Sequence, residues 1–523
     1  MSFSPPVPFN IFDYFLGARL REGNAERRAL LWDGGSMTYG EVHDASGRYA
    51  RVLLDQEVRP EERVIVALPD GPDWVAAFFG ILRMGGVVVM VNPDLKPDQI
   101  RQFYEYTRAR AVFTDDGHAP AFREALEGSR HSPSLIEVGG AGFTTALAAA
   151  NPNVPTFPSH PDDPAIWLFS GGTTGVPKAV VQPHRSYANT TRLYGQGLLE
   201  IGPDDVTISV PKLFFGYATG TNLLFPFSVG ATTTLFAERC TADALFDRIE
   251  MFRPTVLVNV PTMVNHLISH PGAAERDLSS LRLATSAGEA LPVDLHRKWD
   301  ELFGVPLLDG LGTAEMWHVF LSNRPDDVRP GSLGRAVPGF EVEARDEDGK
   351  EVPRGSVGRL WVRGDSRAIA YWQRMDDTRR AFQGEWYASG DMIRVDADGY
   401  VTYEGRADDM LKVSGKWLSP KALEDCLQEH PAVKEVAVVG VKNEDGLVIP
   451  KAFVVRDGAG DPASLALELQ QWAKDRLEPF KYPRAVAFMD ALPRTHLGKV
   501  DRGALGRTGP GEVDIRRPAQ APS

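Results

Sequence analysis

The chain has 523 residues, enough for two or more domains with ample core, and its composition of 43% hydrophobic and 24% charged residues is that of an ordinary water-exposed globular protein. Its net charge of −13 argues against non-specific nucleic-acid binding, which needs a basic surface. The two cysteines, Cys240 and Cys426, lie far apart and outside any CxxC spacing, and no apolar stretch reaches the roughly 18–20 residues of a bilayer span. Neither a disulfide framework, a zinc site nor a membrane segment is therefore expected. With no basic, apolar leader at the N-terminus, the expected location is a reducing cytoplasm.

In chain order, residues 37–41 read as a strand end turning into a helix, and 63–68 as an apolar strand. Residues 72–84 follow with Trp74, Ala77, Phe78, Ile81 and Leu82 at helical spacing, opened by Pro72 and closed by Gly85-Gly86. Strands at 87–91 and 111–114 continue the rhythm. Two apolar runs, 165–169 and 179–181, flank Ser170-Gly-Gly-Thr-Thr-Gly-Val-Pro-Lys178. Beyond them the sequence predicts a helix over 185–199, strands at 207–210, 255–260, 281–285 and 305–308, and helices at 242–252 and 293–302. Short alternating strands at 340–344, 358–362 and 400–403 mark a β-rich subdomain. The chain then restarts as a compact unit with helices at 420–428 and 464–477 and strands at 433–439, 451–455 and 485–488. The expected fold is α/β: a large N-terminal domain (1–407) of mixed and parallel sheets with helices plus the small β-rich subdomain, a small mobile C-terminal α/β domain (408–510), and a disordered tail (511–523).

Within this frame the run from Ser170 to Lys178 has the chemistry of a polyphosphate cradle. Gly171, Gly172 and Gly175 let the backbone approach a ligand, Ser170, Thr173 and Thr174 donate hydroxyls, and Lys178 adds a point charge. It is not the P-loop, which needs Gly-Lys-Ser/Thr in sequence; the competing reading is a surface turn. Ser286-Ala-Gly-Glu-Ala290 follows a strand, where open α/β sheets bind ligands, and the small Ala287 and Gly288 would let a flat ring lie on the backbone. In Asp309-Gly-Leu-Gly-Thr-Ala-Glu315, Glu315 is a hard oxygen ligand suited to Mg²⁺ and Thr313 a phosphate donor. Trp386-Tyr-Ala-Ser-Gly-Asp391 offers a carboxylate for ribose hydroxyls, with Arg406 as a basic partner or, in the blander reading, one half of a surface ion pair. Pro493-Arg-Thr-His-Leu-Gly-Lys499 places a lysine near the chain's end.

As a set, SGGTTGVPK, ASGD, GRADD and PRTHLGK resemble the adenylate-forming superfamily of acyl-CoA synthetases, peptide-synthetase adenylation domains and luciferases, over nearly the whole chain. The resemblance implies that Ser170–Lys178 covers the phosphates of ATP and that Ala287, Gly288 and Glu289 border the adenine, with Asp309 at its amino edge. It further implies that Gly310, Gly312 and Thr313 continue the nucleotide site, Glu315 holds Mg²⁺, and Asp391 and Arg406 take the ribose. Asp408 matches the hinge between domains, and Lys499 the lysine that contacts the reacting carboxylate and α-phosphate. One departure is Ala314, where the family usually has a threonine.

Lys212-Leu-Phe-Phe-Gly-Tyr217 and Glu315-Met-Trp-His-Val-Phe-Leu-Ser-Asn323 look most like benzoate-type aryl-CoA ligases. By that likeness Phe215, Gly216, Tyr217, Ala287, Gly312, His318 and Val319 line a ring site; ordinary core packing is the alternative for His318 and the Phe pair. The implied activity is an ATP-dependent aryl-CoA ligase, adenylating benzoate, 2-aminobenzoate or a hydroxybenzoate and passing the aryl group to coenzyme A. An enzyme loading a carrier-protein phosphopantetheine, or a non-catalytic nucleotide-binding protein, are the alternatives, and either a monomer or a homodimer is compatible with the sequence.

Overall fold

The computed structural model describes residues 4–170, 177–407, 410–413, 416–443, 447–458, 461–478, 481–494 and 500–507. The chain divides into two compact units, residues 1–342 with 361–388, and residues 343–360 with 389–523. The α/β expectation holds in both.

The first unit carries two large sheets. In one, Val87–Met90, Arg63–Ala67, Ala111–Asp115 and Ser134–Val138 run parallel with Pro164–Ser170. Lys178–Pro183 and Ala370–Tyr371 add antiparallel strands at one edge. These strands are runs of Val, Ile and Ala because both faces are covered, as parallel sheets require; Ile65, Val89, Val112 and Trp167 pack with Ile100, Tyr104 and Phe122 from the crossover helices. The other sheet has six parallel strands, ordered Leu307–Gly312, Leu283–Ser286, Val256–Asn259, Val206–Ser209, Thr232–Thr234 and Arg28–Trp32, with antiparallel strands at both edges. Ile208, Leu257, Ala284 and Leu307 bury one face against Leu245, Phe246, Val264 and Trp299.

Local chemistry sets several boundaries. Thr38 accepts from Glu41 N and the Glu41 carboxylate accepts from Thr38 N, a reciprocal cap that starts helix Tyr39–Asp55 where the sequence places it. Helices Ala242–Phe252 and Pro420–Gln428 match the expected bounds. The continuous helix expected over 185–199 does not form: an α-helical turn, His184–Thr190, gives way to π-helical turns over Thr191–Gln196. Thr191 Oγ1 donates to the Tyr187 carbonyl at 2.7 Å, competing with the regular backbone ladder. Helix Pro97–Thr107 and strand Ser134–Val138 are elements that the sequence reading leaves unassigned.

In the second unit, Asp391–Val395 pairs antiparallel with Val401–Arg406. Val433–Lys442, Val448–Arg456 and Ala485–Met489 form a three-stranded sheet, whose Val438, Ala452, Val454 and Val486 pack against Leu423 and Leu427 of helix Pro420–Gln428 and Leu469 of helix Pro462–Arg476. No helix among the described residues is long and apolar enough to cross a membrane.

One buried group in the first unit makes a pH prediction. His184 is buried, its Nδ1 accepts from Ile11 N at 3.2 Å, and burial pushes its pKa from 6.5 down to about 3. With the folded pKa below the unfolded one, the stability from neutral His184 is present above about pH 6.5 and is lost as pH falls toward 3. Between pH 6.5 and 4.5 the loss is on the order of 2 kcal/mol. His184→Asn keeps an acceptor and removes the titration, so its denaturant-unfolding free energy is expected to fall less steeply over that window. Parallel pH slopes for the two proteins would remove His184 from the acid response.

Candidate active site

The two ends of the Ser/Gly/Thr run meet. Pro164–Ser170 and Lys178–Pro183 form an antiparallel pair in which Ser170 lies opposite Lys178. The strands on either side of the run form a hairpin; Gly171, Gly172, Thr173, Thr174 and Gly175 lie outside the described residues. Lys178 Nζ sits 3.4 Å from Asp377 Oδ2 and 5.1 Å from the centre of the Tyr371 ring. The Arg380 guanidinium, with burial opposing it and Lys178 assisting, holds the Asp377 carboxyl below the usual range. Tyr371 Oη donates to Glu315 Oε1 at 2.8 Å, and Ala368 N donates to the Glu315 carbonyl at the same distance. Gln182, on the Lys178 strand, donates Nε2 to the Ala314 carbonyl at 2.7 Å. Three segments distant in sequence therefore converge: the hairpin, the Glu315 turn, and residues 368–377. Tyr371 and Asp377 escape sequence reasoning because no periodicity or glycine marks them; an edge strand of two residues, Ala370–Tyr371, carries the tyrosine into place.

The Glu315 turn is shaped by its own backbone. Thr313 Oγ1 caps the short helical turn Ala314–Met316 by accepting from Met316 N at 3.3 Å, which leaves its O–H as a donor beside Ala314. Trp317 has φ +63°, and His318 N donates to the Met316 carbonyl at 2.9 Å, closing a three-residue turn. Such a turn is strained for a bulky residue and is held by the packing around it: the Trp317 ring lies 4.4 Å from Tyr187 and 5.9 Å from Phe225. The reversal at Trp317 separates Glu315 from His318 in direction while keeping them close in sequence.

Of the expected ring-site residues, Tyr217 and Gly312 meet His318 and Val319. Tyr217 Oη bonds Thr285 Oγ1 at 2.6 Å, bringing the turn Gly216–Thr219 to the end of strand Leu283–Ser286, which runs directly into Ala287 and Gly288. Phe215 is half exposed, its ring tilted against Phe214 at 4.4 Å between centres. A Cβ at Gly216 would lie 3.2 Å from Leu168 Cδ1 and 3.6 Å from the Trp317 carbonyl, so even alanine is tight there. His318 is buried among Tyr194, Tyr217, Phe225 and Trp317, with Nε2 3.0 Å from both the Tyr217 carbonyl and Thr221 Oγ1. Burial pushes its pKa down to about 4, so it is neutral near pH 7. Val319 pairs with Gly312 across the antiparallel strand Val319–Ser322. Gly312 is required by that approach, since a Cβ would lie 2.5 Å from the His318 carbonyl; a close Leu321 carbonyl at 2.7 Å explains Gly310 in the same way.

At the strand ends, Asp309 is buried in register with Ser286, and its carbonyl accepts from Asn323 N and Nδ2 at 3.0 and 3.1 Å. Gly288 adopts φ +89°, and Glu289 Oε2 accepts from Thr262 Oγ1 at 2.8 Å.

Asp391 and Arg406 belong to the second unit and pair directly, Nη1 to Oδ1 at 3.0 Å. The Asp391 side chain is 7% exposed against 46% for Arg406, so this is not the wholly solvated ion pair of the blander reading. Asp391 Oδ2 accepts from Ser389 Oγ and Oδ1 also from Tyr403 Oη at 3.4 Å, which with Arg406 takes three of the roughly four lone pairs of the carboxylate. The guanidinium lies against Gly390, where a Cβ would overlap Nη2 and sit 2.8 Å from Cζ. Gly390→Ala is expected to push the Arg406 head aside at little cost in stability while raising the KM for ATP about fivefold to tenfold, as for a lost hydrogen bond to a charged group. An unchanged ATP titration would separate Arg406 from the nucleotide. Asp408, Lys499 and the tail 511–523 lie outside the described residues.

Comparison with known proteins gives this geometry a family. The AMP-binding enzyme family matches residues 18–372, and the AMP-binding enzyme C-terminal domain matches residues 422–499. A benzoate–CoA ligase of Thauera aromatica is 39% identical, over 96% of each chain. Among solved structures, the anthranilate CoA ligase AuaEII in complex with anthranoyl-AMP is similar with a TM-score of 0.89 and 36% identity, covering 96% of this chain and 97% of that one. A benzoate CoA ligase from Burkholderia xenovorans LB400 gives a TM-score of 0.86 and 40% identity, covering 95% of this chain and all of the other. With a strand-end row at Asp309 and Ser286, a Lys178 hairpin meeting Glu315, and both family domains matched in order, the chain belongs to the AMP-binding enzymes of the adenylate-forming superfamily.

Proposed function

We propose that this protein is an ATP-dependent aryl-CoA ligase acting on a small aromatic carboxylic acid of the benzoate, 2-aminobenzoate or hydroxybenzoate type, in a reducing cytoplasm. The observation that carries the reading is the meeting of Gly216, Tyr217, Gly312, His318 and Val319, with Tyr217 bonded to Thr285 two residues before Ala287, a set of aromatic and small groups suited to a flat ring. The aromatic-acid ligase activities of the relatives above point the same way, and both cysteines are free thiols, as a reducing compartment allows.

A carboxylate resists nucleophilic attack because its charge repels the nucleophile. In the proposed sequence its oxygen attacks the α-phosphorus of ATP, pyrophosphate leaves, and a mixed acyl–phosphate anhydride forms; the thiolate of coenzyme A then attacks the acyl carbon and AMP leaves. In our reading the Ser170–Lys178 run binds the phosphates and Lys178 offsets charge on the departing oxygens, so that positioning and electrostatics lower the barrier. Ala287, Gly288, Glu289 and Asp309 frame the base, Thr313 donates to the phosphate where Ala314 has no hydroxyl, and Asp391 and Arg406 take the ribose. Neutral His318 presents the ring with no charge to desolvate. Among the described residues no cluster of three or more metal-ligating side chains forms a closed cage. Glu315 fits Mg²⁺ as magnesium is usually held, by one or two carboxylates plus substrate phosphate oxygens, and the ion would neutralise charge on those oxygens. We assign residues 1–407 to ATP and acid binding and 408–510 to a lid that turns about Asp408 between the two steps, carrying Lys499.

The test is pyrophosphate release with ATP and Mg²⁺ over benzoate, 2-aminobenzoate, 4-hydroxybenzoate, phenylacetate and octanoate, with and without coenzyme A. Turnover on a benzoate together with formation of its CoA thioester is the expected result. Pyrophosphate without a thioester would move the acceptor to a carrier protein, and preference for octanoate would overturn the aromatic pocket.

A further inference from the structure

Asp70 is a buried carboxylate that the mechanism above does not use. It lies after strand Arg63–Ala67 and before helix Pro72–Arg83, at the carboxyl end of a parallel sheet. Its Oδ1 accepts from Leu213 N at 2.9 Å, a contact across the fold to the stretch leading into Phe215, Gly216 and Tyr217. Burial pushes the Asp70 carboxyl up to about 7, with the Lys212 charge and the Leu213 N–H opposing it. An aspartate here is costly, and its burial calls for a reason beyond filling space.

The neighbouring contacts supply one. Leu213 is fully buried, and while its N–H is held by Asp70, its carbonyl accepts from Thr219 Oγ1 at 2.5 Å. Lys212 is tied by Nζ to the Phe236 carbonyl at 2.7 Å and lies 3.7 Å from that ring's centre, and Phe215 N donates to the Lys212 carbonyl at 2.9 Å. The peptide groups on both sides of Leu213 are thereby gripped, one by Asp70 from across the fold and the other by Thr219 from the turn Gly216–Thr219.

We propose that Asp70 is a positioning residue for the aryl-acid pocket, acting through the Leu213 peptide to set the loop from Phe215 to Tyr217. This rests on the reading of those residues as the ring wall. Asparagine can accept from Leu213 N as aspartate does; alanine cannot. Asp70→Ala is therefore expected to raise the KM for the aromatic acid about tenfold, with the KM for ATP and kcat at saturating acid within about twofold, and Asp70→Asn to behave as wild type. Thr219→Val, which loosens the peptide on the other side of Leu213, is expected to shift the acid KM in the same direction and serves if the alanine variant does not fold. Hydrogen exchange at the Leu213 amide reads the grip without any substrate and is expected to quicken about tenfold or more in Asp70→Ala but not in Asp70→Asn. Equal rises in both KM values, loss in Asp70→Asn equal to that in Asp70→Ala, or unchanged Leu213 exchange in Asp70→Ala would each overturn the proposal. Wild-type protein that turns over no aromatic acid, while Leu213 exchange responds as stated, would instead overturn the aryl assignment and leave the grip standing.

Discussion

Lys499→Ala should cut acyl-adenylate formation by about 10²–10³-fold while leaving thioester formation from a supplied acyl-adenylate within about threefold. The difference follows from where charge develops. In the first half-reaction two anions, the carboxylate and the α-phosphate, must approach, and a cation reaching both stabilises the transition state more than the separated reactants. In the second the electrophile is already an anhydride and the nucleophile is a single thiolate, so the same lysine has little to do. Of the described residues on either side of 495–499, Arg494 and Val500 pair, Arg494 bonds Glu435 at 2.8 Å, and Asp501 N donates to the Pro493 carbonyl at 2.8 Å. Single-turnover measurement of each half-reaction checks this, and equal losses in both would rule out a lysine that serves only one step.

Glu315→Gln should lower kcat/KM for ATP about 10²-fold to 10³-fold and raise the Mg²⁺ concentration needed for half-maximal rate. The substitution is nearly isosteric. Tyr371 Oη donates to Glu315 Oε1 at 2.8 Å and can donate to a glutamine oxygen in the same place, so the turn keeps its shape and only the charge goes. Tyr371→Phe makes the complementary change, keeping the charge and losing the hydroxyl that orients it; a loss of about fivefold to tenfold, with little change in the Mg²⁺ requirement, is expected. If the two variants lose activity alike, Glu315 acts through structure and not through a cation.

Much of this was legible in residue order. Runs such as Val87–Met90 and Val256–Asn259 read as buried strands because a parallel sheet hides both faces, and Pro72 and Gly85 punctuate a helix whatever surrounds it. The break at Thr191 was not legible: helical periodicity continues past it, and whether a threonine hydroxyl bonds its own backbone depends on the surroundings of the turn. At the site, the resemblance gives Gly310 and Gly312 to the nucleotide and ring sites, whereas both are also demanded by strand Val319–Ser322 passing within contact of them.

The sequence by itself determined most of the element order, the α/β class and the identity of the polar groups, because periodicity, turn residues and motif spacing are local properties of the chain. Only the tertiary structure decided which of those groups meet. That Tyr371 orients Glu315, that Asp377 faces Lys178, and that Asp70 holds Leu213 depend on strands and turns being carried past one another by the whole fold. A single tyrosine or aspartate has no pattern around it that records its partner; the partner is set by long-range packing, where burial makes each polar atom's bond obligatory.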